Sequence, residues 1–118
     1  MELTAGHVSV ERVRNLIRFA SLLAEAGEWE DAKPLLEEAQ KLSATLKDPR
    51  SMASLAWLEH RFALFNGDTG EALNSMRAGI RFHRQSGNYQ GLADSVGVVA
   101  GLAKRLGNDR MSARLLGA

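Results

Sequence analysis

The segment GEWEDAKPLLEEA, residues 27–39, places a small residue, Ala32, five positions after a glycine and a long apolar residue, Leu36, nine positions after it. The arrangement returns in GDTGEALNSMRAG, residues 67–79, and in GNDRMSARLLGA, residues 107–118. The equivalent small residues are Ala72 and Ser112, and the equivalent apolar residues are Met76 and Leu116. Three copies at one interval indicate an internal repeat of about forty residues.

Each repeat contains two stretches with the apolar spacing of an amphipathic helix. Before the first glycine, apolar residues recur at steps of three and four, at Val13, Ile17 and Ala20. After the glycine, the same kind of spacing separates Ala32 and Leu36. Residue types that start helices separate the stretches: Asp48 with Pro49, Asp68 with Glu71, Asn88 after Gly87, and Asn108. The patterns predict helices near residues 10–26, 29–46, 49–66, 69–86, 89–106 and 109–118.

The repeated glycine permits the chain to reverse between two antiparallel helices, and the small residue lets their backbones approach closely. One such hairpin cannot bury its own apolar face, so neighbouring hairpins must stack. The sequence therefore predicts a single all-α domain over residues 1–118, with three helix–turn–helix repeats at about 10–47, 48–87 and 88–118.

These residues resemble a known family. The small residues around the glycines (Ala20 and Ala32, Ala100 and Ser112), with Trp29 two positions after Gly27, are similar to the tetratricopeptide repeat. The forty-residue period resembles the longer variant found in bacterial LuxR/MalT-type regulators, and the closing LGNDRMSARLLGA resembles a segment of their helical-repeat regions. The resemblance implies an α–α superhelix of about six antiparallel helices with a concave groove.

The resemblance places an aromatic–guanidinium–aromatic stripe, Trp57, Arg61 and Phe65, in this groove. Aromatic residues and arginine dominate binding hot spots. The other residues that the register projects onto the groove are Arg14, Ser21, Glu25, Ser54, Asp94, Lys104 and Arg105. Trp57 has a second interpretation, because Gly97 and Gly101 lie forty residues after Trp57 and Arg61, and a large ring could pack over their bare backbone.

Catalytic, metal and cofactor chemistry find no support in the sequence. The chain has no cysteine, and it lacks a nucleophile elbow, a phosphate-binding glycine loop and paired inward carboxylates. The three histidines, His7, His60 and His83, lack the spacing of metal ligands. We therefore expect no enzyme activity, no cofactor and no metal.

The charge distribution bears on the choice of partner. Residues 1–48 carry nine acids and six bases (−3), whereas residues 49–118 carry five acids and nine bases (+4), which favours head-to-tail association or an acidic ligand. The total of +1 argues against direct nucleic-acid binding, since that affinity comes mainly from neutralised phosphates. The basic stripe Arg77, Arg81 and Arg84 is interpreted as a solvated outer face.

No signal peptide and no membrane span are expected, because the N-terminus lacks a basic head before an apolar run and no apolar stretch reaches about 20 residues. A cytoplasmic location follows as the expectation. The apolar residues of segment 109–118 have no following helix to cover them, which indicates a fragment of a longer protein or self-association through this face.

The sequence thus predicts a non-enzymatic scaffold that binds a protein or peptide, as the sensor or scaffold region of a bacterial transcriptional regulator. Two alternatives remain. The first is a self-association element that forms a homo-oligomer through the 109–118 face. The second is a small-ligand sensor with a closed pocket among Trp57, Phe65 and the glycine face.

Overall fold

The chain is all-α. The computed structural model describes the backbone of residues 9–117 and the side chains of residues 9–108 and 110. This part of the chain contains five helices and no strand: α1 (Val10–Glu25), α2 (Trp29–Leu46), α3 (Pro49–Phe65), α4 (Thr69–Ser86) and α5 (Tyr89–Gly117). The first four match the predicted helices to within one residue at each end.

The predicted helix starts at Asp48, Asp68 and Asn88 are confirmed. Each side chain accepts a hydrogen bond from the backbone N–H three residues later, at 2.9–3.0 Å. Such a bond satisfies one of the amides that the first helical turn leaves without a partner. Asp68 forms only half of the predicted capping box, because its own N–H donates to the carbonyl of Ala63 and not to Glu71.

Glycines make three of the four chain reversals between residues 9 and 117. Gly27, Gly67 and Gly87 have φ values of 83°, 79° and 73°, a left-handed conformation that a Cβ atom disfavours. Lys47 makes the fourth reversal, between α2 and α3, with φ of 57°. The prediction that the glycine lets the chain reverse is confirmed at Gly27 and Gly67.

The predicted sixth helix is wrong as a separate element. The sequence placed a reversal at Gly107 and a helix start at Asn108, but α5 runs without a break through both residues. Glycine and asparagine permit a reversal and do not impose one, since each lowers helix stability by only about 1 kcal/mol or less. Gly107 keeps helical geometry, and α5 reaches 29 residues, about 43 Å in length.

The core lies between the paired helices. Ala32 and Ala72, the small residues five positions after the glycines, are fully buried, as predicted, while the side chain of Ser112 lies outside the described residues. In α4, Gly79 allows a similar approach, because a Cβ atom there would lie 3.4 Å from that of Ala56 in α3. Small residues thus let the helices cross closely.

The hairpins do not stack evenly. α1 packs against both α2 and α3, and α3 packs against α4, whereas the described part of α5 packs against α4 alone. The result is an elongated molecule of 64 × 33 × 22 Å with a radius of gyration of 16.2 Å, against about 13–14 Å for a compact domain of this length. An open space remains between α1, α3 and the start of α5.

Candidate binding groove

This open space forms a groove of about 1000 Å³ whose walls come from four helices. From α1 it is lined by Arg14, Ile17, Arg18 and Ser21, and from α3 by Arg50, Ser54 and Trp57. The corner between α4 and α5 closes one end, with His83, Tyr89, Asp94 and Ser95 among its residues. Rigid helices therefore position most of the side chains that a ligand would meet.

Half of the predicted groove residues line it: Arg14, Ser21, Ser54, Trp57 and Asp94. Arg14 and Ser21 lie seven residues apart on α1, and Ser54 and Trp57 lie three apart on α3, so each pair shares one helix face. The structure therefore brings five of the ten predicted residues into one groove, but of the Trp57, Arg61 and Phe65 stripe it places only Trp57 there.

The other half of the predicted residues lies elsewhere. Arg61 and Glu25 pair with each other, Nη1 to Oε2 at 3.6 Å, and Phe65 stacks on Trp29 with ring centroids 4.4 Å apart. Lys104 and Arg105 are exposed on α5, about 15 Å along the helix from Asp94, which is a groove residue. The contacts of Arg61 and Phe65 hold the corner between α1 and α2 against the end of α3.

The groove has three arginines that the sequence assignment only partly found. Arg14, Arg18 and Arg50 are all exposed, and within the described residues none has a carboxylate oxygen within 4 Å. Hydrogen bonds from the Ser51 hydroxyl and N–H lower the pKa of Asp48, and Arg14 and Arg50 lower this pKa further. Arg14 and Arg50, on two different helices, therefore both favour the charged form of the Asp48 carboxylate.

Two of these arginines could have been found from helical spacing. Arg18 lies four residues after Arg14, and Arg50 lies four residues before Ser54, so each shares a face with a residue that was assigned to the groove. No comparable pattern pointed to Tyr89, because it begins α5 at a corner whose direction depends on tertiary packing.

Trp57 is held at the groove wall by His60. Their rings meet edge to face with centroids 4.9 Å apart, and the His60 Nδ1 lies 2.6 Å from the Trp57 carbonyl oxygen. His60 is buried, whereas Trp57 remains 40% exposed and Tyr89 80% exposed. Two aromatic rings are thus available to a ligand.

The interpretation of Trp57 as a cover for the α5 glycines is wrong. Cβ atoms placed at Gly97 and Gly101 would meet no atom within 4 Å, so both glycines face open space. The reason is that α5 leans away from α3 and makes no contact with it in the described part of the chain.

The corner between α4 and α5 is built by close packing of a ring on backbone. A Cβ atom at Gly91 would lie 2.5 Å from the His83 ring, so any larger residue there would force this imidazole to shift. The His83 Nδ1 atom and the Ser95 hydroxyl are buried and have no hydrogen-bond partner within the described residues. Both atoms belong to residues that line the groove.

His60 should make stability depend on pH. Burial lowers the pKa of His60, Arg61 lowers it further, and the bond to the Trp57 carbonyl opposes both. Its contribution to the free energy of unfolding should be complete above the ordinary pKa of about 6.5 and decline as the pH falls below it. We expect urea titrations between pH 7.5 and 5.0 to show this decline.

The matched variant for this measurement is His60→Gln, which cannot titrate. It is needed because burial raises the pKa of Glu59, whose protonation has the opposite effect on stability. The difference between wild type and variant should shrink as the pH falls. A difference that stays constant from pH 7.5 to 5.0 would contradict the assignment.

Comparison with protein-family models finds none that matches this chain, and comparisons with curated proteins and with solved structures also find no match. Within the described residues, no group of three or more histidine, aspartate or glutamate side chains could hold a metal ion. No described helix combines the length and the apolar character needed to cross a membrane. The groove is therefore the feature of the molecule from which a function can be inferred.

Proposed function

We propose that this chain is a non-enzymatic interaction module that holds a protein or peptide segment in the groove between α1, α3 and the start of α5. The observation that carries the proposal is the joint exposure of three arginines and two aromatic rings in one groove of about 1000 Å³. Arginine, tryptophan and tyrosine are the residue types enriched at the energetic centres of protein interfaces.

The architecture that we propose for the module is a tetratricopeptide-like stack, as in the scaffold region of a transcriptional regulator. Support comes from Gly27 and Gly67, which adopt left-handed geometry forty residues apart, and from the buried Ala32 and Ala72 that follow them. The contacts of α1 with α3 are those that stacked hairpins need.

A segment of chain suits this groove better than a small enclosed ligand. Small-molecule sites bury most of the ligand surface, whereas the arginines and aromatic rings of these walls are exposed, and Phe65 packs on Trp29 outside the groove lining. The self-association alternative remains a prediction, because the side chains of residues 111–118 lie outside the described part.

The test is selection of peptides from a displayed library of random decapeptides by the intact protein. We expect a family of selected peptides whose affinity falls about ten-fold or more in Trp57→Ala, the scale of an interface hot spot, as measured by fluorescence anisotropy. Tyr89→Ala should weaken binding in the same direction.

The matched control is Phe19→Ala, which removes an aromatic ring that is 58% exposed on α1 and does not line the groove. It should leave peptide affinity unchanged. The proposed function would be overturned if the library yielded no binder, or if Phe19→Ala weakened binding as much as Trp57→Ala.

A further inference from the structure

We infer that the segment bound in the groove is acidic, with carboxylates at alternate positions that pair with Arg14, Arg18 and Arg50. This inference depends on the proposed function and specifies its partner. Carboxylates are the natural counterparts of these guanidinium groups, because the two planar groups can form two parallel, charge-assisted hydrogen bonds.

The groove carries a local excess of positive charge. Three arginines line the groove against one carboxylate, that of Asp94, which already accepts a hydrogen bond from Gln90 at 3.2 Å. The whole chain carries a net charge of only +1. The groove lining, with three arginines and one aspartate, therefore has a net charge of +2 within a protein that is close to neutral.

The spacing of two groove arginines matches the spacing of alternate residues in an extended peptide. Arg14 and Arg18 lie one helical turn apart on α1, which separates their positions by about 6 Å along the axis. Alternate residues of an extended peptide are about 6.5 Å apart and point to the same side. A segment with the pattern acid–any–acid would thus place two carboxylates opposite Arg14 and Arg18.

Arg50 faces this row from the other wall. It stands in the first turn of α3, and both it and Arg14 lower the pKa of Asp48. Asp48 itself is committed to the α3 cap through the hydroxyl and N–H of Ser51, at 2.8 and 3.0 Å. The two guanidinium groups therefore keep hydrogen-bond donors for a ligand.

The corner of the groove between α4 and α5 contains polar atoms without hydrogen-bond partners among the described residues. Ser95 is 1% exposed, and its hydroxyl has no hydrogen-bond partner among the described residues, like the buried Nδ1 of His83. Buried polar groups of this kind are normally paired. The backbone and carboxylates of an acidic segment carry the hydrogen-bonding groups that these two atoms lack.

The test uses a fluorescein-labelled decapeptide with glutamate at alternate positions and two phenylalanines, and a counterpart with glutamine in place of every glutamate. We expect the acidic peptide to bind at least ten-fold more tightly in anisotropy titrations at low salt. Its advantage should shrink as salt is added, because the charge pairs are exposed. The expected advantage should disappear in Arg14→Glu/Arg18→Glu.

The matched control is Arg77→Glu/Arg81→Glu, which makes the same change in charge at two exposed positions of α4 outside the groove lining. It should retain most of the preference for the acidic peptide. If the groove double variant loses helicity, Arg18→Glu alone provides the test, since its side chain is exposed and not ion-paired within the described residues.

The outcomes separate this inference from the proposed function. The inference of an acidic segment would be overturned if the two peptides bound equally, or if the selected library peptides lacked acidic residues. Either result would leave the proposed peptide-binding function intact. Failure of the whole library would overturn both.

Two further results would also overturn the inference of an acidic segment, because each would identify a different occupant of the groove. One is equal competition by a single-stranded oligonucleotide of the same charge, which would make the ligand a general polyanion. The other is self-association that Arg14→Glu/Arg18→Glu abolishes in sedimentation, which would make it a second copy of the chain.

Discussion

Leu58→Ala should lower the free energy of unfolding by about 2–5 kcal/mol, the usual range for removing a buried leucine side chain. Leu58 is fully buried in α3, in a cluster with Val13 and Ile17 of α1 and Leu36 of α2. Because α3 is the helix that packs against α1, α2 and α4, a cavity at this position weakens several helix contacts at once. Chemical unfolding followed by circular dichroism at 222 nm would measure the loss.

Leu22→Ala is the matched control, since Leu22 is 58% exposed on α1. Its effect should stay within about 0.5 kcal/mol, as is usual for surface substitutions. Similar losses in the two variants would mean that the cluster around Leu58 does not form in solution.

The helices of this fold could be predicted from the sequence because their signals are local. Asp48 before Pro49 marks a helix start in any context, since the carboxylate must satisfy amides three residues away. The apolar spacing that includes Val13, Ile17 and Ala20 identified the buried side of α1. Such features involve residues within one or two helical turns of each other.

The composition of the groove could be predicted only in part, because it depends on how α5 packs against the preceding helices. A regular repeat would set α5 against α3 as α3 is set against α1, and Trp57 would then cover Gly97. In the structure, α5 leans away, and this exposes Trp57 and brings Tyr89 to the groove. Arg61 was also predicted to line the groove and instead pairs with Glu25 of α1.

The equivalent glycines of the repeat should respond to alanine with opposite signs. Gly67→Ala should lower the free energy of unfolding by about 1–2 kcal/mol, because Gly67 has φ of 79° and an L-residue is strained there. Gly107→Ala should raise it by up to about 1 kcal/mol, because Gly107 is exposed inside α5, where alanine is the better helix former. Both effects come from backbone conformation, since a Cβ atom at either position meets no neighbour within 4 Å.

This pair of variants tests the most consequential difference between the repeat pattern and the structure. Five residues on from each glycine lies a small residue, so the sequence treats positions 67 and 107 alike. Opposite shifts of Tm in the two variants would show that only the first glycine reverses the chain. A lower Tm in both would place a reversal at Gly107 and restore a separate sixth helix. The sign of one substitution therefore decides whether α5 is one helix or two.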